Sequence, residues 1–382
     1  KYYMQSKICV LQVIPNLDVS GASQGCVDVA NYLTEKNYNS YIATNSGQNI
    51  KKVSEHETKV IKVPVHSKNP LIIILNIFRL ARIIKLFGIN ILHVRSRAPA
   101  WSSYFACLMT RTKYVSTFHG TYNFNNVLKK YYNSVMLMTD GTIAISKFIY
   151  NEIKTKYQKM PKVIKIIPRG IDLEFFNVAS IDQQIKNDIL TEFKINKDAI
   201  KIMLPGRMTE WKGHLLLLKA FEQVSQQTEK KLELLMVGPD DNTSLKKRLT
   251  TFVHEKDIEG NVHFISARND INNFYSIADI VVSPSTDPEA FGRISVEAQA
   301  MGKFVIASNH GGSTETIINN ETGYLFNNAD ENDLSAKILK AINEDKHCSE
   351  TVRQACITNV QKNYSDKKMC DSTLNFYNEI IG

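Results

Sequence analysis

Short apolar runs alternate with amphipathic segments along the whole chain. The first run, KICVLQVI at residues 7–14, predicts a buried strand, and residues 16–25 form a Gly/Ser-containing loop before helical periodicity at residues 26–36. Further strands are predicted at residues 40–44, 89–94, 114–118, 141–145 and 163–167, and in the second half at 200–205, 232–237, 262–265, 280–282 and 304–307.

The order of strand, loop and helix repeats, which predicts βαβ units and parallel sheets with ligands at the carboxyl ends of the strands. The alternation of predicted strands and helices stops at residues 168–199, where Pro-Arg-Gly-Ile-Asp precedes a polar stretch. The chain is therefore predicted to form two doubly wound α/β domains, 1–172 and 173–365, with a ligand site in the cleft between them.

Composition is that of an ordinary soluble protein, with 43% hydrophobic and 22% charged residues. The six cysteines are scattered without CxxC spacing, which predicts free thiols in a reducing compartment and argues against zinc and disulfides. No run of 18 uncharged apolar residues and no signal-peptide pattern is present in the sequence. A cytoplasmic location is the expectation.

The net charge of +9 is unevenly distributed. Residues 1–180 contain 24 Lys and Arg against 9 Asp and Glu, a net charge of +15, whereas residues 181–382 contain 23 against 29, a net charge of −6. Two interpretations are open. The basic half binds an anionic partner, such as a phosphorylated acceptor, an anionic membrane or nucleic acid, or it is a solvated surface without a partner.

The segment PLIIILNIFRLARIIKLF at residues 70–87 predicts an apolar helix with a polar stripe. Asn76, Arg79, Arg82 and Lys85 recur every three residues and form that stripe. The pattern fits a helix packed on the sheet, and it also fits a helix that lies in the plane of an anionic membrane.

Two strand-end loops of the first half carry candidate ligand contacts. Gly21-Ala22 lies between the first strand and the first helix, where small residues allow a helix N-terminus to approach a phosphate. The spacing is neither GxGxxG nor a P-loop, so a structural turn explains it equally well. His119 ends a later strand and suits a hydrogen bond with a substrate hydroxyl or a structural role.

Three arginines of the first half also follow strands. Arg95 and Arg97 leave the strand before residue 95, and Arg169 lies in the domain junction. They suit an anionic acceptor through charge-assisted hydrogen bonds, or they are solvated surface arginines.

The second half contains a predicted anion site. Arg207 and Lys212 bracket a turn that follows a strand and precedes a helix at residues 215–224. A guanidinium, an ammonium and a helix N-terminus together suit a diphosphate leaving group. Surface charge is the alternative, but this half is net acidic and still concentrates these bases at one strand end.

Two glutamates stand eight positions apart, at 289 and 297. Ile294, Ala298 and Met301 follow helical spacing, so Glu297 lies near a helix start. Helix-dipole stabilisation explains Glu297 at about 0.3–1 kcal/mol, but it does not explain Glu289, which precedes the helix.

Short motifs of the second half occur in a fixed order: Gly206-Arg207, Lys212, Glu289-x7-Glu297 around Phe291-Gly292, and Gly311-Gly312. Together they resemble the retaining glycosyltransferases of family 4, and the resemblance covers nearly the whole chain. It implies the GT-B architecture, in which two Rossmann-like domains face each other across a cleft and the C-terminal one holds most of the nucleotide-sugar. It also implies that the helix at 366–382 crosses back to the first domain.

The resemblance assigns roles to the motif residues. Arg207 and Lys212 bind the donor diphosphate and stabilise developing charge, without a metal or a cofactor. Glu297 accepts hydrogen bonds from ribose hydroxyls, and Glu289 contacts hydroxyls of the donor sugar. The predicted catalytic residues are Arg207, Lys212, Glu289 and His119. The predicted donor-binding residues are Gly21, Ala22, Gly206, Gly238, Phe291, Gly292, Arg293 and Glu297. The predicted acceptor-side residues are Arg95, Arg97 and Arg169.

Two positions depart from the family pattern. Ala22 stands where glycine is common, which weakens that assignment, and Arg293 stands where an apolar residue is frequent, which leaves room for a further phosphate or acceptor contact.

The hypothesis is a retaining, metal-independent transferase that moves a hexose-type sugar from a UDP- or GDP-linked donor to a cell-envelope glycan or lipid-linked acceptor. Lipopolysaccharide core or a similar polysaccharide is the expected product, and peripheral contact with the inner face of the membrane is included. The alternatives are a glycoside hydrolase or phosphorylase that uses Glu289 and Glu297, and a nonenzymatic binder. The sequence lacks RNA-binding patterns and zinc-finger spacing, so no nucleic-acid partner is expected.

Overall fold

A computed structural model describes residues 8–18, 20–54, 58–122, 124, 126–157 and 160–382. The chain divides into two compact units. The N-terminal unit contains the residues up to Gly170 together with Asp366–Gly382, and the C-terminal unit contains Ile171–Ser365. Each unit is built around its own parallel sheet.

The described part of the N-terminal unit has a seven-stranded parallel sheet in the order β3-β2-β1-β4-β5-β6-β7. Its strands are β1 (Cys9–Val13), β2 (Asn39–Thr44), β3 (Lys59–Lys62), β4 (Ile91–Val94), β5 (Lys113–Phe118), β6 (Gly141–Ala144) and β7 (Ile164–Ile166). Its helices are α1 (Gly21–Glu35), α2 (Ile50–Ser54), α3 (Pro70–Phe87), α4 (Ala100–Thr110), α5 (Val127–Ser134) and α6 (Lys147–Lys156), with α15 (Asp366–Ile381) added from the end of the chain.

The C-terminal unit has a six-stranded parallel sheet in the order β10-β9-β8-β11-β12-β13. Its strands are β8 (Ile200–Pro205), β9 (Leu232–Val237), β10 (Val262–Ile265), β11 (Ile280–Ser283), β12 (Phe304–Ser308) and β13 (Gly323–Phe326). Its helices are α7 (Gln183–Glu192), α8 (His214–Gln227), α9 (Thr243–Glu255), α10 (Ile271–Ile277), α11 (Arg293–Ala300), α12 (Ser313–Thr316), α13 (Glu331–Asn343) and α14 (Glu350–Asn363).

The predicted strands are all present, and their bounds shift by at most two residues within the described chain. Lys7, where the first predicted strand begins, lies outside the described residues. Two strands, β3 and β13, were not predicted. Both are four-residue strands at a sheet edge. β3 has lysine at each end and no buried apolar run, whereas β13 is largely buried but begins at Gly323, a residue type that weakens a strand pattern.

The predicted loop at residues 16–25 is wrong in its second half, because α1 already begins at Gly21. Ser20 caps the helix, and its side chain accepts a hydrogen bond from the backbone N–H of Ser23. The small, polar residues of this first turn lack apolar periodicity, which is why the pattern placed the helix start later.

Helix α3 is bounded as its sequence predicts, by Asn69 as N-cap, Pro70 in the first turn and Gly88 in a left-handed conformation after the last turn. The predicted polar stripe is wrong at Asn76, which is buried and donates a hydrogen bond to the Pro64 carbonyl at 3.0 Å. Among the described residues, no helix combines the length and the apolar character that a membrane span requires.

Helix α15 completes the core of the N-terminal unit by packing against α1. Met369, Phe376 and Tyr377 are buried there with residues of the sheet. The six cysteines are free thiols, and five of them are buried.

Candidate active site

Each sheet has one switch point, which is a pair of neighbouring strands whose connections run to opposite sides of the pair. In the C-terminal unit it lies between β8 and β11, and in the N-terminal unit between β1 and β4. The loops that leave the carboxyl ends of such a strand pair diverge, and the crevice between them is the usual ligand site of an open α/β sheet. The loop after β8 contains Arg207 and Lys212, and the loop after β11 contains Glu289.

Close backbone packing shapes the Arg207 loop. A Cβ atom on Gly238 would lie 2.1 Å from the Gly206 carbonyl oxygen, so only glycine allows the two loops to approach. The Gly206 N–H donates to the Val237 carbonyl at 2.8 Å, which ties the loop after β8 to the end of β9. Arg207 is exposed and makes no hydrogen bond or ion pair with any residue that the structure describes.

Lys212 connects the two loops of the crevice. Its Nζ donates to Oε1 of Glu289 at 2.5 Å and lies 4.4 Å from the centre of the Trp211 ring. Both charged side chains are 15% exposed. The Ser285 hydroxyl also donates to Glu289 Oε1, at 2.7 Å, so this oxygen accepts two hydrogen bonds. Helix α8 begins directly after this turn without a side-chain cap.

Glu297 lies on α11 and has both carboxylate oxygens engaged. The hydroxyl of Tyr275 donates to Oε2 at 2.9 Å, and Arg293 Nε donates to Oε1. Tyr275 is fully buried, and burial, followed by the charge of Glu297, raises its pKa well above the ordinary value. Arg293 is therefore paired with Glu297, at the position where the family pattern usually has an apolar residue.

The Phe291-Gly292 turn begins α11. Gly292 has φ +86°, a left-handed conformation that favours glycine, and α11 starts without a side-chain cap. The Gly312 N–H donates to the Glu289 carbonyl at 2.6 Å, so the Gly311-Gly312 motif is hydrogen-bonded to the segment that precedes the turn. Phe291 is buried with its ring 5.7 Å from that of Tyr364.

This arrangement suits a ligand that carries both phosphate and hydroxyl groups. An unpaired guanidinium, an ammonium and uncapped helix starts at α8 and α11 offer positive charge and N–H donors to an anion. The carboxylates keep acceptor capacity for hydroxyl groups, because both hydrogen bonds to Glu289 go to Oε1 and each oxygen of Glu297 accepts one. The structure thus brings Gly206, Lys212, Glu289 and Gly238 into neighbouring loops around Arg207.

In the N-terminal unit, His119 follows β5 and is paired with Arg169. The Arg169 Nη2 donates to His119 Nδ1 at 2.8 Å. Because a guanidinium only donates, Nδ1 is the acceptor, and the proton of the neutral ring is on Nε2. Burial, followed by the charge of Arg169, lowers the pKa of His119 well below its ordinary value. The buried Nε2 has no hydrogen-bond partner among the described residues.

Arg95 and Arg97 are both held inside the N-terminal unit. Arg95 is 5% exposed, and its Nε donates to Gln12 at 2.6 Å, so the solvated-surface interpretation is wrong for this residue. The Arg97 guanidinium lies 4.6 Å from the centre of the Tyr122 ring and donates to Asn133 at 3.2 Å. A small cavity brings Arg95, His119 and Arg169 together, with His93, Thr117 and Met369 also among its lining residues.

Gly21 and Ala22 form the first turn of α1 at the switch point of the N-terminal sheet. Ser20 already caps this helix start, with Ser23 N–H to Ser20 Oγ at 3.3 Å. The site roles of these two residues stay a prediction, as do those of Arg95, Arg97 and Arg169.

Two residues that hold the glutamates, Tyr275 and Ser285, were not predicted from the sequence. Tyr275 is 22 positions from Glu297 and lies in α10, and no spacing in the sequence links them. Ser285 precedes Glu289 by four positions, so its polar side chain beside a strand end was the available signal.

One group of three side chains in the described chain could hold a metal ion. Asp345, His347 and Cys348 bring their ligand atoms within 4.8 Å of one another between α13 and α14, although the cysteine spacing predicted no such cluster. The ammonium of Lys230 already lies 3.4 Å from the Asp345 carboxylate. The cluster is separate from the residues of the candidate site.

Two family profiles cover most of the chain. The profile described as Glycosyltransferase Family 4 matches residues 19–175, and the profile described as Glycosyl transferases group 1 matches residues 186–360. A solved glycosyltransferase from Rickettsia africae ESF-5 is 34% identical with a TM-score of 0.90, covering 98% of this chain and 99% of that one.

Two further proteins are similar over different lengths. The lipopolysaccharide 1,2-N-acetylglucosaminetransferase of Salmonella typhimurium is 30% identical over 167 residues, which are 42% of this chain and 42% of that protein. The chain thus matches less than half the length of this relative. Anabaena Alr3699/HepE, solved with UDP and glucose, shares the fold with a TM-score of 0.82 at 17% identity, over 97% of this chain and 99% of that one.

With the two Rossmann-like sheets and the ordered motifs, these matches show that the chain belongs to glycosyltransferase family 4 and has the GT-B fold. It is a transferase enzyme, as the sequence predicted. This membership favours a transferase over the hydrolase and nonenzymatic alternatives.

Proposed function

We propose that this transferase moves a hexose-type sugar from a nucleoside diphosphate donor to a cell-envelope glycan or lipid-linked acceptor, with retention of the anomeric configuration and without a metal ion. The donor is UDP- or GDP-linked and acts as a substrate, and the enzyme needs no cofactor. The proposed site of action is the cytoplasmic side of the membrane.

The main support for the proposal comes from the charged side chains of the crevice between β8 and β11. Arg207 is exposed there without a partner in the described chain, and Lys212 is held 2.5 Å from Glu289. A bound diphosphate would attract both cations and release Glu289 from its ammonium. Glu289 would then be available to accept hydrogen bonds from sugar hydroxyls, so donor binding and assembly of the sugar site are linked.

In the proposed reaction, the bond between C1 of the sugar and the diphosphate oxygen breaks, and the acceptor hydroxyl oxygen bonds to C1 on the same face. The hydroxyl proton passes to the departing diphosphate. Negative charge grows on the leaving group, so Arg207 and Lys212 act where charge develops. Two fixed cations can supply the charge stabilisation for which other transferases use a divalent ion.

Glu297 is proposed to bind the ribose of the donor. Tyr275 and Arg293 fix the direction of its carboxylate before a ligand arrives. In the N-terminal unit, His119 is proposed to donate from Nε2–H to a substrate hydroxyl, since Arg169 donates to Nδ1 and so leaves the ring proton on Nε2.

The similar proteins support the substrate classes. The Salmonella relative is named for lipopolysaccharide, and the Anabaena structure holds UDP and glucose. The basic charge of the N-terminal half adds support for an anionic acceptor, such as a lipid-linked or phosphorylated glycan.

A donor screen tests the proposal. The protein is incubated with UDP-, GDP- and ADP-linked hexoses in the presence and absence of a chelator, and the released nucleoside diphosphate is measured. Slow hydrolysis of one donor class, unchanged by the chelator, is expected. Calorimetry of UDP, GDP and ADP gives an independent measurement of binding. The absence of affinity for all three at millimolar concentration would contradict the proposal, and loss of activity with the chelator would contradict its metal-independent part.

A further inference from the structure

Helices α3 and α4 expose large apolar side chains to solvent. They pack against each other on the sheet of the N-terminal unit, and each buries one face there. Eight apolar side chains on their outer sides are 41–71% exposed, and we call these residues the apolar face: Leu71, Ile74, Leu75, Phe78 and Leu86 of α3, and Phe105, Leu108 and Met109 of α4.

The orientation of α3 makes the exposure unusual. Asn76 points inward to the Pro64 carbonyl, while Leu71, Leu75 and Phe78 point outward at helical spacing. A helix that only packs on a sheet turns its apolar side inward and its polar side to water. An apolar set of this size on two neighbouring helices marks a surface that binds something.

The stretch of sequence that contains the apolar face is basic. Between Thr58 and Thr139 the sequence has no Asp or Glu. The same segment contains twelve basic residues: Lys59, Lys62, Lys68, Arg79, Arg82, Lys85, Arg95, Arg97, Arg111, Lys113, Lys129 and Lys130.

The exposed basic side chains lie among the apolar ones. Arg79, Arg82 and Lys85 are exposed on α3, and they fall on the same outer arc of the helix as Leu75 and Leu86. Arg111 is exposed directly after α4. Apolar side chains with basic neighbours on one helix face are the composition of helices that lie in the membrane interface.

We propose that the apolar face of α3 and α4 docks on an anionic lipid bilayer, with α3 in the plane of the interface. The apolar side chains enter the region of the acyl chains, and the arginines and lysine contact lipid phosphates. Charge complementarity favours this occupant over a second copy of the chain, because a two-fold contact of this face would place basic residues against basic residues. The inference deepens the proposed function, since it brings the enzyme to a lipid-linked acceptor.

Vesicle co-sedimentation tests the docking. The full chain is mixed with vesicles of phosphatidylcholine, alone or with about one third phosphatidylglycerol. Binding to the anionic vesicles only, weakened by salt, is expected. The variant L71S/L75S/F78S should lower the partition coefficient at least about tenfold, since three apolar side chains no longer enter the interface. The matched control V163S/I185S/I318S changes three apolar residues of 39–42% exposure elsewhere and should bind like the wild type.

The charged residues are tested separately. R79Q and R82Q should each lower the partition coefficient about fivefold on anionic vesicles, and the double variant should have a weaker salt dependence. Equal binding to neutral and anionic vesicles, or no effect of the L71S/L75S/F78S variant, would overturn the proposal. So would a wild-type dimer in sedimentation velocity that the same variant dissociates, because the face then contacts a second copy.

Donor hydrolysis without vesicles separates this inference from the proposed function. The L71S/L75S/F78S variant should hydrolyse a soluble nucleotide-sugar at the wild-type rate, because the substitutions lie outside the donor site. If the wild type binds vesicles but hydrolyses no donor, the docking holds and the proposed function fails. If it hydrolyses a donor and binds no vesicle, the docking fails alone.

Discussion

The switch points of the two sheets use positive charge in opposite ways. Between β8 and β11, Arg207 is exposed and Lys212 meets Glu289 in a crevice. Between β1 and β4, Arg95 is buried and hydrogen-bonded to Gln12. The same parallel topology therefore gives one crevice with an exposed arginine and one whose arginine is buried and hydrogen-bonded within its own unit.

Topology locates a site, whereas the partners of each side chain decide its use. An arginine without a partner can meet an incoming phosphate with little reorganisation. The Nε of Arg95 already donates to a buried glutamine, which fixes its guanidinium within the N-terminal unit. Arg207 is accordingly the stronger candidate for chemistry, and Arg95 for the support of the N-terminal unit.

The largest expected effect comes from Arg207 and Lys212. R207A or K212A should lower the turnover of a donor about 10²–10³-fold, because each variant lacks one positive charge that stabilises the negative leaving group. Initial rates of nucleoside diphosphate release give the effect. K247A removes an exposed lysine of α9 in the same unit and should keep the wild-type rate.

Loss of the Arg95 side chain is expected to lower stability. R95A should lower the free energy of unfolding by about 1–3 kcal/mol, since Gln12 loses its buried donor. R207A should leave unfolding unchanged within about 0.5 kcal/mol. Urea denaturation of both variants measures this contrast, and equal losses of stability would show that the two arginines do not differ as described.

The next effect concerns the loops that form the C-terminal crevice. G238A should lower the free energy of unfolding by about 2–3 kcal/mol, because the added Cβ collides with the Gly206 carbonyl. G260A is the matched control, since a Cβ at Gly260 meets nothing within 4 Å. Urea denaturation measures both, and a neutral G238A would show that the Gly206 loop moves freely.

Acid should act on both units through buried histidines. Burial is the main cause that lowers the pKa of His93 and His119 well below the ordinary value, and it lowers the pKa of His214 to about 4. Below about pH 6.5 the unfolded chain therefore binds protons that the folded chain does not. The free energy of unfolding is expected to fall by about 1.4 kcal/mol per pH unit for each such histidine as the pH decreases.

Urea denaturation between pH 7.5 and 5 measures this slope. H214Q removes one titrating group of the C-terminal unit. The slope of the free energy of unfolding against pH should then become shallower by the contribution of one histidine. Stability that is constant below pH 6.5, or a slope that H214Q leaves unchanged, would contradict the assignment of buried neutral rings.

The smallest expected effect tests the support of Glu297. Y275F should weaken binding of a ribonucleoside diphosphate about fivefold, because one hydrogen bond that orients the carboxylate is lost. Binding of the 2′,3′-dideoxy analogue should change much less, since it lacks the hydroxyls that Glu297 is proposed to bind. Calorimetry with both ligands measures the ratio.

Y324F is the matched control for Tyr275. Tyr324 also donates its hydroxyl to a glutamate of the C-terminal unit, Glu344, outside the crevice. This variant should keep the wild-type preference for the ribose form. An equal loss for both ligands in Y275F would indicate a structural role for the tyrosine rather than a role in orienting Glu297.

The strands of both sheets could be predicted because each is a short apolar run, buried in a parallel sheet. The exceptions, β3 and β13, are four-residue strands at sheet edges, where β3 has lysine at both ends and β13 begins with glycine. The face of α3 could not be predicted from periodicity. Its apolar residues surround the helix, so the inward position of Asn76 depends on the Pro64 carbonyl, which tertiary structure supplies.

The candidate site was predicted as a set of positions but not as a set of partners. Arg207, Lys212 and Glu289 follow strand ends, and the topology brings their loops together. The contacts of Tyr275 with Glu297 and of Arg169 with His119 join residues 22 and 50 positions apart. Such pairs leave no periodic signal in a single sequence.

The position of α15 has a consequence for how the protein is made. Tyr377 of this helix contributes to the N-terminal core and contacts His93 Nδ1 through its hydroxyl at 2.6 Å. A ribosome that adds about 5–20 residues per second must first complete Ile171–Ser365 before it reaches α15. The core of the N-terminal unit therefore remains incomplete until Asp366–Gly382 have been synthesised. We expect this interval to be when the polypeptide most depends on chaperones.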